Sequence, residues 1–193
     1  MAIGLSRAKV QIEIVNVVAS ASVDQRIELN AIVRAFPNIE YRPEIFPGLV
    51  FKLKKPKTAT LIFSSGKMVC TGAKSEEGAK RAVRLVVAEL KNGGIPIVGK
   101  PKITIQNIVS YVRLGGDIDL ERAVFVLGRS MYEPEQFPGM VYRMDAPKVV
   151  ILIFSNGKLV VAGAKKEEEI HQAVINLQGQ LEMDDLIHYP ESS

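Results

Sequence analysis

Apolar positions along the chain alternate between a period of two and a helical period. Val10 to Ala19 and Lys102 to Val112 alternate apolar with polar residues and are rich in β-branched side chains, which predicts a strand at each place. A short helix is expected after each. Asp24 can cap a segment carrying Ile27, Ala31, Ile32 and Ala35, and Asp117 or Asp119 precedes Leu120, Ala123, Val124 and Leu127. Pro37 and Gly128 stop these helices, and three further strands then end at Gly72 and Gly163. Ser75 with Glu76 and Glu77 opens a longer helix whose stripe is Ala79, Ala82, Val83, Val86, Val87 and Leu90, closed by Gly93 and Gly94. Its equivalent runs from about Lys166 to Leu181 with Ile170, Ala173, Val174, Leu177 and Leu181 inward, and Glu167 to Glu169 form a first turn favoured by the helix dipole.

The elements recur because the sequence does. Phe46-Pro47-Gly48 returns as Phe137-Pro138-Gly139, and Leu61-Ile62-Phe63-Ser64 as Leu152-Ile153-Phe154-Ser155, both at an offset of 91 residues (137 − 46 and 154 − 63). Roughly 30 of about 77 aligned positions are identical without an insertion. Residues 1–96 and 97–181 are therefore expected to be two copies of one fold related by a pseudo-twofold axis, with an acidic tail over 182–193. Such a pair suits a ligand that is itself nearly twofold symmetric, as duplex DNA is. Each copy supplies about five strands and two helices, and its hairpin connections are too short for parallel crossovers. The fold class is α+β: one continuous antiparallel sheet of about ten strands, with two helices per repeat on one face.

Helices can cover only that face, and the other face of such a sheet is normally polar. Here the strands are apolar on both parities. Ile62, Met68 and Cys70 can face the helices, which leaves Leu61, Phe63 and Val69 uncovered. The register follows from the turn: a three-residue loop Ser65-Gly66-Lys67 puts Phe63 opposite Val69 and Leu61 opposite Thr71, and likewise Phe154 opposite Val160 and Leu152 opposite Ala162. An open apolar face over so many strands exceeds what a soluble monomer leaves bare, so something binds there.

Composition narrows the ligand. The net charge of +4 divides unevenly, because residues 1–100 hold 16 Lys/Arg against 8 Asp/Glu and residues 101–193 hold 9 against 13, giving +8 and −4. A basic half favours a polyanion, while the acidic half and tail, including Glu182, Asp184, Asp185 and Glu191, favour a basic protein or simple solubility. The sequence has no secretory leader pattern and no bilayer-length apolar run, so an intracellular, soluble protein is expected. Cys70 is a single cysteine whose repeat partner is Val161, which makes it a wall residue. His171 and His188 lack metal-ligand spacing, and no metal or cofactor is implied.

Three kinds of residue converge on the open face, each present twice. Val18, Leu61, Val69 and Val109, Leu152, Val160 form an apolar floor, and Asn16 and Asn107 near its centre can donate to base-edge acceptors. Phe46 with Phe63 and Phe137 with Phe154 sit toward its ends as wedges. Lys52, Lys54, Lys55, Lys57, Lys67, Lys74, Arg143, Lys148, Lys158 and Lys165 rim it and can neutralise phosphates. A shallow apolar sheet can press into a minor groove that it forces open, with inserted side chains unstacking base steps. Deformable TA steps and the missing guanine amino group then favour A·T-rich sites. Each residue also has a plainer reading: Phe alone is commonly core, an amide can be a satisfied core group, and the run Lys54-Lys55-Pro56-Lys57 can be a solvated loop. Doubling on one face favours the site.

Gln106-Asn107-Ile108-Val109, the Phe-Pro-Gly turns, Leu61-Ile62-Phe63-Ser64-Ser65-Gly66-Lys67, Thr71-Gly72-Ala73-Lys74 and Tyr132-Glu133-Pro134-Glu135 resemble the core of the TATA-box-binding protein family over about residues 7–181. The resemblance implies a saddle with DNA on its concave underside, the four Phe as intercalating pairs, and Asn16 and Asn107 on central base pairs. It further implies a general transcription initiation factor that recruits transcription factor B, through the loop of Glu133, Glu135 and Gln136, and RNA polymerase. The short amino terminus is similar to the archaeal branch, implying a cytoplasmic or nucleoid location, or a nuclear one in a eukaryote. Two departures stand out: Ala162 where Thr71 would predict a second threonine, and Gln136 where the family often has leucine. The acidic tail has no implied role beyond a solubilising segment without fixed structure.

Other classes remain open on residues alone. An apolar small-molecule or lipid binder could use the same floor, and a homodimer could close it, with or without DNA binding. No nucleophile–His pairing, paired carboxylates or phosphate loop supports an enzyme.

Overall fold

In the computed structural model residues 9–190 are described. The first copy runs β1 (Gln11–Ser22), α1 (Leu29–Ala35), β2 (Leu49–Lys54), β3 (Lys57–Ile62), β4 (Lys67–Ala73) and α2 (Glu76–Asn92). The second runs β5 (Lys102–Arg113), β6 (Asp117–Ile118), α3 (Leu120–Val126), β7 (Ser130–Met131), β8 (Met140–Met144), β9 (Val149–Ile153), β10 (Lys158–Ala164), α4 (Glu167–Met183) and β11 (Ile187–His188). Both β1 and β5, and both long helices, begin and end on residues 91 apart, so the sequence offset is also a structural one.

Nine strands form one antiparallel sheet in the order β2-β3-β4-β1-β5-β10-β9-β8-β7, fewer than the ten expected. The missing strand is β7's counterpart in the first copy, reduced to the single bridge Glu40↔Val50 where the second copy pairs Met131 with Val141. The chain divides into two compact units, Val15–Asn107 and the described residues on either side of it.

Each unit buries one sheet face under its long helix. The stripe read from sequence is the buried one: Ala79, Ala82, Val83, Val86, Val87 and Leu90 in α2, and Ile170, Ala173, Val174, Leu177 and Leu181 in α4. In the first unit it meets Leu49, Ile62, Met68 and Cys70. Ser75 caps α2 by accepting from Gly78 N at 2.9 Å, and Glu169 folds back onto the N–H groups of Lys165 and Lys166 at 2.7 and 3.2 Å.

Two local expectations change. Asp24 does not cap α1; at φ 53° it turns the chain out of β1, accepts from Ser22 Oγ at 2.9 Å and pairs with Lys102 at 2.6 Å, and α1 starts later, at Leu29. Asp119, one of the two candidates in the second copy, does cap α3. The hairpin register also moves by two residues, pairing Leu61 with Val69 and Leu152 with Val160. The loop does have three residues, but they are Ser64-Ser65-Gly66, closed by Phe63 N to Lys67 O at 2.9 Å, with Gly66 last at φ 86°. A left-handed residue ends such a loop rather than sitting at its middle, which is the source of the shift. A shift of two preserves parity, so the set of residues on each face is unchanged.

The carboxyl end departs from a structureless tail as well. Leu186 and Ile187 are buried, and β11 pairs with β6 through Ile187 and Ile118. Glu191 lies outside the described residues. Among the described residues no helix is long and apolar enough to cross a membrane.

Candidate nucleic-acid interface

In the Val15–Asn107 unit, cross-strand pairing lines up Val50, Leu61, Val69 and Ser20 across four strands, all on the face away from the helices and all half-buried. The next row is Lys52, Ala59 and Thr71. There β1 and β4 slip register, between Val17↔Ala73 and Ala19↔Cys70, so that Thr71 and Gly72 stand against Val18 alone, and Asn16 lies beside the slip. Its carboxamide oxygen accepts from Gly72 N at 2.8 Å, which fixes the amide's orientation, and its nitrogen lies 3.3 Å from Thr71 Oγ1. The arrangement holds an N–H2 donor beside a hydroxyl on an apolar floor. Val18 lies next along β1, half-buried on the same face.

The same construction recurs in the other unit. Val141, Leu152, Val160 and Tyr111 form one row, and Arg143, Val150 and Ala162 the next, again beside a register slip between Val161↔Ser110 and Ala164↔Ile108. Val109 is half-buried on β5; Asn107, also half-buried, is the last residue of the first unit.

Each unit carries a pair of phenylalanines edge to face at its Phe-Pro-Gly turn, apart from the buried-side pair Phe36 and Phe51 of the first unit. Phe46 and Phe63 have ring centroids 5.9 Å apart at 70°, and Phe137 and Phe154 are 5.9 Å apart at 69°. Phe46 and Phe137 remain 43% and 40% exposed, unusual for so apolar a side chain. The glycine of each Phe-Pro-Gly turn is required by this approach: a Cβ on Gly48 would stand 2.6 Å from the Phe46 ring, and one on Gly139 2.7 Å from that of Phe137.

The rim cations differ in availability. Lys57, Lys67, Lys148, Lys158, Lys165 and Arg143 are exposed, with no ion pair among the described residues. Lys52 pairs with Glu40 at 3.4 Å, and Lys74 Nζ donates to the Val15 carbonyl at 2.7 Å, so these two are partly engaged. Glu133, Glu135 and Gln136 are all exposed in the turn before Phe137, where Gln136 N and Phe137 N both donate to the Glu133 carbonyl.

The family model described as transcription factor TFIID (or TATA-binding protein, TBP) matches twice, over residues 11–93 and 102–182. The chain belongs to the TATA-binding protein family. It is 52% identical over 166 residues to the TATA-box-binding protein of Sulfolobus acidocaldarius, spanning 86% of this chain and 84% of that one. Identity to the Pyrodictium occultum TATA-box-binding protein is 56% over 159 residues, 82% of this chain and 80% of the relative. The solved structure titled Methanococcus jannaschii TBP aligns with a TM-score of 0.81 at 46% identity, over 90% of this chain and 99% of that one.

Within this TATA-binding protein family member, several floor positions were not among the residues singled out from sequence. Val50 and Val141 extend the floor onto β2 and β8, and Ser20 and Tyr111 complete it on β1 and β5. Val50 and Val141 are identical across the offset and alternate with buried neighbours, a signal the repeat already contained. Away from the floor, Cys70 is fully buried and its thiol pKa is pushed up by burial, consistent with a wall residue. Among the described residues no cluster of His, Cys, Asp and Glu could hold a metal ion.

Proposed function

We propose that the protein is a general transcription initiation factor that binds TATA-like promoter DNA in the minor groove and kinks it. In this reading Phe46/Phe63 and Phe137/Phe154 enter base steps as wedges. Leu61, Val69, Val18, Leu152, Val160 and Val109 cover the groove floor, and Asn16, Thr71 and Asn107 donate to its acceptors, with Ala162 an apolar contact. Wedges of this kind unstack bases at about a few kcal/mol per step, a figure to which this family itself contributes. The wrapped apolar surface offsets that cost, and Lys52, Lys57, Lys67, Lys74, Arg143, Lys148, Lys158 and Lys165 add counterion release at the phosphates. The reading is carried by one observation: paired, half-exposed phenylalanines of matching geometry at the margin of an uncovered apolar face in each unit.

The DNA-bound protein then nucleates an initiation complex. Glu133, Glu135 and Gln136 offer an exposed acidic turn to a basic surface, which we assign to transcription factor B, with RNA polymerase recruited in turn. A fluorescence-transfer bend assay on an A·T-rich, TA-containing duplex and a G·C control, over a salt series, tests the DNA reading. Strong bending of the A·T duplex alone, reduced by Phe46→Ala and by Phe154→Ala, is expected. Absence of duplex binding at low salt would sink it and leave the uncovered face to a small apolar ligand or to a second copy of the chain. Without DNA, the same face is available for homodimerisation, and concentration-dependent sedimentation that DNA reverses is the expected sign.

A further inference from the structure

The two floors are unlike in one place. On β1 the open-face residues beyond Asn16 and Val18 are Ser20 and Ser22; at the same offset β5 carries Tyr111 and Arg113. Ser20 is half-buried, and its hydroxyl is occupied, accepting from Gln106 Nε2 at 2.8 Å. Tyr111 stands opposite Val160 at the β5 end of a floor row and is 56% exposed, and its hydroxyl has no hydrogen-bond partner among the described residues. Arg113 lies opposite Lys158, beside Phe154 at the floor's margin. Tyr111, Arg113, Phe154, Lys158 and Val160 line one open cleft.

Polar groups are therefore distributed differently in the two units. In the first, the floor hydroxyls are Thr71's, next to Asn16, and Ser20's, which Gln106 occupies. In the second the position of Thr71 is Ala162, and among the described residues the floor hydroxyl is Tyr111's, one row farther out, about 7 Å along the strand. A phenol suits a groove: its ring covers sugar and base edges while its O–H donates to adenine N3 or thymine O2.

We propose that Tyr111 and Arg113 are DNA contacts of this unit alone, Tyr111 on the groove floor and Arg113 on a phosphate, and that they bias which end of a nearly symmetric A·T site this unit occupies. The proposal rests on the minor-groove reading above. Its test uses the full chain with a dye on Glu89→Cys of α2, an exposed position far from the floor, since Cys70 is buried. Energy transfer to a dye on either end of a TA-containing duplex reports the orientation ratio. Tyr111→Ser/Arg113→Ser, which gives the second unit the first unit's residues, is expected to lower that ratio at least threefold. It should also reduce the slope of log K against log salt by about 0.9, the contribution of one phosphate contact. Tyr111→Phe keeps the ring and is expected to fall between the two. An unbiased wild-type ratio, or a double variant with ratio and affinity within twofold of wild type, would overturn the proposal while DNA binding stands. Failure of the wild type to bind any duplex would instead remove the reading beneath it. Both side chains point away from the core, and thermal melting of the variants checks that they stay folded.

Discussion

Leu61 and Ile62 are adjacent on β3, equally apolar, and placed in opposite circumstances. Ile62 is fully buried with Met68 and Cys70 in the cluster beneath α2, whereas Leu61, with Val69 and Phe63, stays half-buried on a face that no helix covers. The second unit repeats the contrast with Ile153, Leu159 and Val161 against Leu152, Val160 and Phe154. One sheet thus holds two apolar faces with different uses. Burial of the first stabilises the fold at about 25 cal/mol per Å2, and the same coefficient applied to the second becomes available only when a ligand removes it from water.

The contrast is broken or sharpened most strongly by truncating both faces at neighbouring positions. Ile62→Ala and Ile153→Ala should each cost about 2–5 kcal/mol in urea unfolding, because each leaves a cavity in a packed layer. Leu61→Ala and Leu152→Ala should cost no more than about 1 kcal/mol in the same assay. Their effect belongs in DNA binding, as a loss of affinity for the A·T duplex that Ile62→Ala does not share once folded protein is compared. Equal stability losses on the two faces would mean that the open face is core after all.

A smaller effect is expected where the wedges are set. Gly139→Ala would put a methyl 2.7 Å from Phe137 and 3.0 Å from Phe154, so both rings must move. Crowding of this type costs about 1–3 kcal/mol. Bending of the A·T duplex should fall along with it, because the ring pair loses its set geometry. Gly48→Ala is the matching change in the other unit, and similar losses from both would show that neither pair acts alone.

How far the sequence reached differs between these faces for a physical reason. The covered face follows from periodicity: the α2 and α4 stripes are buried residue for residue, since a helix must turn its apolar side to the sheet. The open face was legible through parity and repetition, which brought Leu61, Val69, Phe63 and their copies to one side even though the pairing register was two residues off. A register error of two is invisible to parity, and only the position of Gly66 within its loop decides it. Asp24 looked like a cap because aspartate before an apolar run usually is one, but Lys102, distant in sequence, holds it elsewhere. Tyr111 is not marked by the repeat because its partner at the offset is Ser20; identity between copies reveals what is shared and hides what differs.

Rim charges should contribute less per residue and be legible only in salt. Lys158→Ala removes an exposed cation without an ion pair among the described residues, beside Phe154, and should lower the slope of log K against log salt by about 0.9. Lys74→Ala should change it less, since the Lys74 ammonium already sits on the Val15 carbonyl. Neither should alter bending at saturating protein. Equal slopes for the two variants would place Lys74 on a phosphate in the complex, at the expense of its backbone contact.

The smallest effect is expected at Asp24, outside both faces. Hydrogen bonding from Lys102, then from Ser22, together with the charge of Lys102, holds its carboxyl below the usual aspartate range, and the same contact raises the Lys102 ammonium. A depressed folded-state pKa adds stability above the unfolded value, about 3.9, and loses it as pH falls through the folded one. The Lys102 shift has the opposite sign: its contribution is present below about pH 10.4 and fades as pH rises through the folded value. Both side chains stand in solvent, where salt screens the pair, so the amplitude is small. Asp24→Asn should therefore leave urea stability at pH 7 close to wild type and flatten the acid limb below about pH 4. Duplex affinity at pH 7 should be unchanged, because Asp24 turns the chain out of β1 and contributes nothing to the floor. A loss of affinity in this variant would show instead that the turn sets the end of β1, and with it the placement of Ser20 and Ser22.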